Sequence, residues 1–307
     1  MFTSVWEDVK SQFRSGNMIT RIILVNTAFF VGILLLKLML SIAVDQAFPS
    51  PTYERYVAPF LELSSSFWTS LTRPWVLFTH MFMHYGVFHF IFNMLWLYWF
   101  GRIVGDLIGD RKILPIYLLS GLASALLFMT VAAFNTPFNI GGSALGASGA
   151  VFGLTIAAAT IAPEYSIRLI LIGSVRLKYI AMAAILLQLV ALEANSNAGG
   201  TFGHLGGLIM GYIYVVQLRR GNDWAIPVNR LLDKIQNFFQ KDARQKPKVV
   251  YRNPNLKKTR ESRKGSNISD ISHEEKLDTI LDKIKQKGMS SLTEEEKEFL
   301  LNASKEK

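Results

Sequence analysis

The feature that most constrains this chain is a succession of long apolar stretches within its first 220 residues. The first runs from about Met18 to Val44, interrupted only by Arg21 and Lys37, and further runs follow at about 87–108, 113–134, 148–162, 179–194 and 202–218. A helix needs about 20 apolar residues to cross a bilayer. Backbone inside lipid must also satisfy its own hydrogen bonds, which a helix does within one segment. The pattern therefore predicts an all-α, polytopic membrane protein with a six-helix bundle over residues 18–220. The first stretch is too long for a signal-peptide core and no small-residue cleavage site follows it, so it is expected to stay as a span. The fourth and fifth stretches are shorter than a full crossing.

The distribution of charge supports the same division. Residues 1–220 hold 14 Lys and Arg with 9 Asp and Glu, whereas the 87 residues from 221 onward hold 19 and 14. A charge-poor body with a charge-rich tail excludes one uniform globular domain. The basic residues also predict an orientation, because cytoplasmic segments are enriched in Lys and Arg. With the N-terminus inside, eleven basic residues lie in cytoplasmic segments (Lys10, Arg14, Arg21, Arg102, Arg111, Lys112, Arg168, Arg176, Lys178, Arg219 and Arg220) against Arg55 and Arg73 outside. Both termini are expected in the cytoplasm. The net charge of +10 then reflects topology and a basic tail rather than a nucleic-acid-binding fold. The absence of cysteine excludes disulfides, thiolate catalysis and Cys-ligated metal sites.

Residues 1–17 read as a cytoplasmic N-terminal segment, and 45–84 as a long outer loop rich in Pro, Ser and aromatics. After Arg220, Val228, Leu231, Leu232, Ile235, Phe238 and Phe239 recur at helical spacing behind Pro227, predicting a surface-lying amphipathic helix. It opens a 221–271 segment whose part 241–264 holds ten Lys and Arg; that run either binds anionic lipid or forms a solvated linker. Residues 272–307 read as a small helical hairpin. Ser272-x-x-Glu275 is a capping-box pattern, Gly288 a helix end, and Ser291-x-x-Glu294 or Thr293-x-x-Glu296 a second start.

Polar groups inside spans are costly and are functional candidates by default. Three places qualify. His89 and Asn93, four residues apart at the start of the second span, share a helix face; they form either a platform of donors for developing negative charge or a helix-to-helix hydrogen-bonding pair. Gly146-Ala-Ser148-Gly149 opens the fourth span. If Pro163 marks its far end, the helix is about 22 Å long against a core of about 30 Å, which sets Ser148 below the outer surface at a helix N-terminus. That end offers free N–H groups and a positive dipole, although serine there also serves as an ordinary cap. His204 precedes Gly207-x-x-x-Gly211 in the sixth span, a spacing that admits a second helix closely. The histidine either reaches a group on that helix or is incidental to a packing motif.

A serine becomes a nucleophile when a base takes its proton, and His204 can supply that base. Glu193 is the only carboxylate nearby and falls at the end of span five, so a Ser–His dyad without a third member is expected. His89, Asn93 and the Ser148 N–H would supply donors to a tetrahedral intermediate.

Taken together, the segments TRPWVLFTHMFMHYGVFHFIFNMLWLYWFG, GASGAVFG and FGHLGGLIMGY resemble the rhomboid family of intramembrane serine proteases over about residues 68–218. The resemblance implies Ser148 as nucleophile and His204 as general base. It further implies His89, Asn93 and the Ser148 N–H as oxyanion stabilisers, with Gly146 shaping that loop. His84 matches a supporting histidine of the family, Gly149 completes its G-x-S-G motif, and Gly207 and Gly211 complete its H-x2-G-x3-G motif. One departure is Val76 after Trp75, where many members have Trp-Arg; it bears on how the first outer loop is anchored. The tail is similar to extensions on rhomboids of Bacteroidetes-type bacteria, which implies a bacterial inner membrane.

The expected activity is endoproteolysis of other proteins' transmembrane segments near the outer leaflet, with water reaching Ser148 beneath the 135–147 and 195–201 loops. Span five is the expected lateral gate, being short and lacking polar anchoring in its core. The alternative is a rhomboid-like binder or chaperone of transmembrane helices, which would need no such dyad. A transporter is disfavoured because no intramembrane carboxylate pair or inverted repeat is evident. No cofactor, metal or nucleic-acid partner is expected.

Overall fold

The computed structural model describes residues 2–45, 47–134, 138, 140–169, 173–194, 197–240 and 273–303. The basic run 241–264 and the Ser272 cap lie outside them. The chain divides into two compact units, the first ending at Lys241. Each is described by itself.

Six apolar helices form the first unit's bundle: α2 (Met18–Ala43), α5 (Val87–Ile108), α6 (Ile113–Ala133), α7 (Ser148–Ile161), α8 (Leu177–Glu193) and α9 (Ala198–Arg219). They fall on the six predicted runs; α9 starts four residues earlier than expected and α8 two. Helix α9 begins early because Asn197, in a left-handed conformation (φ 53°), accepts a hydrogen bond from the Gly200 N–H. Among the described residues, four segments are long and apolar enough to cross a membrane: Met18–Ala43, Val87–Ile108, Asp110–Ala133 and Ala198–Arg219. Helix α7, with 14 residues, rises only about 21 Å.

That short helix is the centre of the bundle. Ten of its residues are buried, several of them Gly or Ala. Small side chains let neighbouring backbones come close, and packing of this kind holds helices together where lipid removes the hydrophobic drive. A Cβ at Gly207 of α9 would run into the carbonyl oxygen of Gly149, and one at Gly211 into that of Gly153. The Gly207-x-x-x-Gly211 motif therefore meets a second such motif, Gly149-x-x-x-Gly153. Helix α6 closes the other side, with Ser124 against Gly149 and Ser120 against Gly153. Phe100, Tyr117, Leu154 and Tyr214 complete a core drawn from α5, α6, α7 and α9. Helix α8 differs: only Leu177 and Ala184 are buried along its 17 residues.

One end of the bundle collects basic and capping residues. Asp110, just beyond α5, accepts from the Met18 N–H at the start of α2 (2.9 Å). Arg219 donates to the Thr160 carbonyl at the end of α7 (2.6 Å), and Lys112 pairs with Asp223 just beyond α9. An amphipathic helix α10 (Ala225–Gln240) follows there, with Asn229 donating to the Arg111 carbonyl (2.9 Å) and Leu231 and Ile235 exposed.

The opposite end is built by the outer loop. Short helices α3 (Phe67–Thr72) and α4 (Val76–Thr79) lie in it. Strand β1 (Leu63–Ser64) pairs antiparallel with β2 (Ser143–Ala144), tying this loop to the segment that enters α7. The loop's anchor comes from before Trp75 rather than after it. Arg73 donates to the Pro59 carbonyl (2.8 Å) with its guanidinium 4.3 Å from the Phe60 ring, and Trp75 Nε1–H donates to the Phe60 carbonyl (2.8 Å). Val76 is buried instead.

Three further elements were not expected: helix α1 (Phe2–Ser15) in the N-terminal segment, the β1–β2 pair, and a hairpin of β3 (Ser166–Leu169) and β4 (Gly173–Arg176) between α7 and α8. In the second unit, helices His273–Lys287 and Glu294–Ala303 flank Gly288, which takes φ 79°. Of the two candidate starts, the capping box forms at Thr293. Thr293 N–H donates to Glu296 Oε2 (2.8 Å) and Glu296 N–H to Thr293 Oγ1 (3.3 Å), while Lys283 pairs with Glu296 across the two helices (2.7 Å).

Candidate active site

The short β1–β2 pair and Gly146 set the geometry where α7 begins. Gly146 has φ 124°, a conformation that side-chain-bearing residues rarely adopt, and its N–H donates to the His80 carbonyl (2.8 Å). The turn places Ser148 as the first residue of α7, facing the N-terminal part of α9. Oγ of Ser148 lies 2.7 Å from Nε2 of His204. The close contact of α9 with α7 makes this approach possible, since a larger residue at 207 would press on the Gly149 carbonyl and separate the two helices. Phe152, one turn after Ser148, holds the imidazole from the side with ring centres 4.7 Å apart.

The other nitrogen of His204 is also engaged. Nδ1 lies 2.8 Å from Oε1 of Gln188, on α8. This residue was missed in the sequence. It also corrects the expectation that span five lacks polar anchoring in its core: Gln188 is that anchor. Its signal was present as a lone amide within an apolar run, which needs a partner in lipid by the same reasoning applied to His204.

His89 and Asn93 stand on the first turns of α5, at the same end. The Tyr85 N–H faces Nδ1 of His89 (3.4 Å). With Nδ1 accepting, the proton of a neutral imidazole sits on Nε2. That nitrogen points at Gly146: a Cβ there would stand 3.1 Å from His89 Nε2 and 3.4 Å from Ser148 Oγ. Asn93 donates through Nδ2 to the His89 carbonyl (2.8 Å), which uses one of its two N–H groups and fixes the amide. His84, in the loop before α5, packs edge-on against the His89 ring (5.2 Å) and the Phe90 ring (5.4 Å). Burial, reinforced by His89, pushes His84 down to about 4, and burial does the same to His80. Both are neutral supports of the turn at pH 7.

These residues face one cavity of about 1070 Å³, lined among others by His89, Asn93, Ser148, Gln188 and His204. Ser124 and Asn197 add polar groups to the wall, and Phe92, Phe138 and Leu187 apolar ones. The 135–147 and 195–201 loops, beneath which water was expected to pass, are described only in part; Ile140, Gly141 and Gly199 line the cavity. Among the described residues, no group of three or more His, Asp or Glu side chains is placed to hold a metal.

An all-α bundle of this kind, with four full-length spans among the described residues, defines a multi-pass membrane protein. Residues 71–221 match the Rhomboid domain, so this part of the membrane bundle belongs to the rhomboid family. It is 31% identical over 158 residues to RHOMBOID-like protein 1 of Arabidopsis thaliana, covering 48% of this chain and 36% of that one. It is 30% identical over 172 residues to the mitochondrial presenilin-associated rhomboid-like protein A of Danio rerio, covering 54% and 42%. A 50-residue stretch is 40% identical to the rhomboid protease GlpG of Salmonella newport, covering 16% and 18%. The chain thus spans under half the length of each of these relatives. Residues 267–306 match a family of unknown function, DUF6576.

Proposed function

We propose that this protein is an intramembrane serine endopeptidase that cuts transmembrane segments of other proteins. The observation that carries the reading is the 2.7 Å approach of Ser148 Oγ to His204 Nε2 at the wall of a cavity of about 1070 Å³ within an apolar bundle. A helix-binding protein gains nothing from a hydroxyl held against an imidazole at that spot.

In the proposed reaction the Ser148 proton passes to His204 Nε2 as Oγ attacks the scissile carbonyl carbon. The C–O bond forms and the carbonyl electrons move to oxygen. His89 Nε2–H, the free Asn93 N–H and the Ser148 backbone N–H receive that charge. His204 then gives its proton to the leaving amine as the C–N bond breaks, leaving an acyl ester on Ser148. Water, deprotonated by His204, cleaves the ester and restores the serine. A continuous helix hides its carbonyls in internal hydrogen bonds, so substrates are expected to carry helix-weakening Gly, Ala, Ser or Pro near the cut.

Orientation follows from charge. The end of the bundle carrying Arg111, Lys112 and Arg219 is assigned to the cytoplasm, with both termini there, and the cavity to the outer leaflet of a bacterial inner membrane. Anionic lipid at 241–264 would hold the tail to the inner surface.

The test is co-expression with a panel of tagged single-span proteins, comparing wild type with Ser148→Ala. Cleavage products that appear with wild type and vanish with Ser148→Ala support the protease. Co-purification of intact spans equally by both forms, without cleavage, supports the binder and rejects the protease.

A further inference from the structure

We infer that Gln188 is the positioning residue of this site, fixing the tautomer and the orientation of His204 from α8. The inference rests on the reading of Ser148 and His204 as nucleophile and base, and deepens it. For Ser148 to give up a proton, Nε2 of His204 must present its lone pair to Oγ. A neutral imidazole then carries its proton on Nδ1. Buried without an acceptor, that N–H would favour the opposite tautomer, in which Nε2–H donates to Ser148 and the serine is not activated. The Gln188 amide oxygen, 2.8 Å from Nδ1, supplies the acceptor. In a triad a carboxylate occupies this place. Here a neutral amide does, and it avoids the cost of a charge in lipid.

Two further features of the geometry accompany that bond. His204 is held between Ser148 on one nitrogen and Gln188 on the other, with the Phe152 ring against its face, so its orientation is fixed from three sides. Gln188 also stands on the helix whose only buried residues are Leu177 and Ala184. The position of α8 and the protonation pattern of the base are therefore one variable.

The full-length chain, labelled with ¹⁵N-histidine in detergent micelles, tests this. It has five histidines, and His204→Asn identifies the relevant signals. Long-range ¹H–¹⁵N correlation should show wild-type His204 protonated on Nδ1. Gln188→Met, which keeps length but removes the acceptor, should lose that pattern, and Gln188→Glu, which keeps an acceptor oxygen in either protonation state, should retain it. In hydrolysis of a transmembrane-segment substrate, Gln188→Met should lower kcat about 10²-fold with KM within about twofold, and Gln188→Glu should recover most of the loss. An Nε2-protonated wild type, an unchanged tautomer in Gln188→Met, or a loss confined to KM would overturn the inference. The expected tautomer pattern in a wild type that cleaves nothing would remove the protease reading while leaving the positioning role of Gln188 in place.

Discussion

Helices α7 and α8 are the two short helices of the bundle, and they are held in opposite ways. Helix α7 is locked by backbone: its glycines and alanines meet carbonyls and small side chains of α6 and α9, and ten of its 14 residues are buried. Helix α8 buries two side chains and turns Met182, Leu186 and Val190 outward. Yet both contribute to one histidine, since Ser148 comes from α7 and Gln188 from α8. The difference teaches that the proposed nucleophile sits on the most constrained element and the partner of the base on the least constrained one.

Substitutions can break or sharpen this contrast. The largest effect is expected for Gly207→Leu, whose side chain would have to occupy the Gly149 carbonyl. The neighbour is backbone and cannot swing away, so the loss of stability should reach about 3 kcal/mol or more, with activity lost as well. Thermal unfolding in detergent measures it, and a wild-type midpoint would break the contrast at its strongest point. Ala157→Leu, at a fully buried position of α7, should cost about 1–3 kcal/mol by overpacking. Gly146→Ala should come next. Its φ of 124° strains any side chain, and the new methyl presses on His89, so about 1–3 kcal/mol of strain should appear mainly as reduced turnover. The smallest effect is expected for Leu186→Ala on the outward face of α8, within about 0.5 kcal/mol in the same unfolding assay. A large loss there would show that α8 is packed against more than its contacts in this chain indicate.

Much of this arrangement was legible in the sequence because lipid imposes a simple rule. Apolar length announces a span, and a polar residue within it needs a reason. That rule located all six helices and singled out Ser148, His204, His89 and Asn93. It failed where its own second half was not applied: Gln188 is the same kind of residue as His204, but without a motif around it the amide passed as part of an apolar run. Gly153 was missed for a related reason, since the spacing from Gly149 is visible but only the facing helix shows that the two glycine pairs interlock. The β1–β2 and β3–β4 pairs lie in loops, where two to four residues per strand leave no periodicity to read. Helix α1 has no apolar span to mark it. The anchor of the outer loop was sought after Trp75, whereas the contacts run from Arg73, a relation set by how the loop folds back on Pro59 and Phe60.

The central claim is that the Ser148 hydroxyl is made nucleophilic by His204 within the membrane domain. A fluorophosphonate probe applied to the detergent-purified chain reads this directly, because phosphonylation requires the activated hydroxyl and no substrate need be known. The account predicts one adduct, mapped by mass spectrometry to Ser148, absent in His204→Ala under the same conditions. Folded wild-type protein that takes up no probe, or labels equally without the histidine, would contradict it.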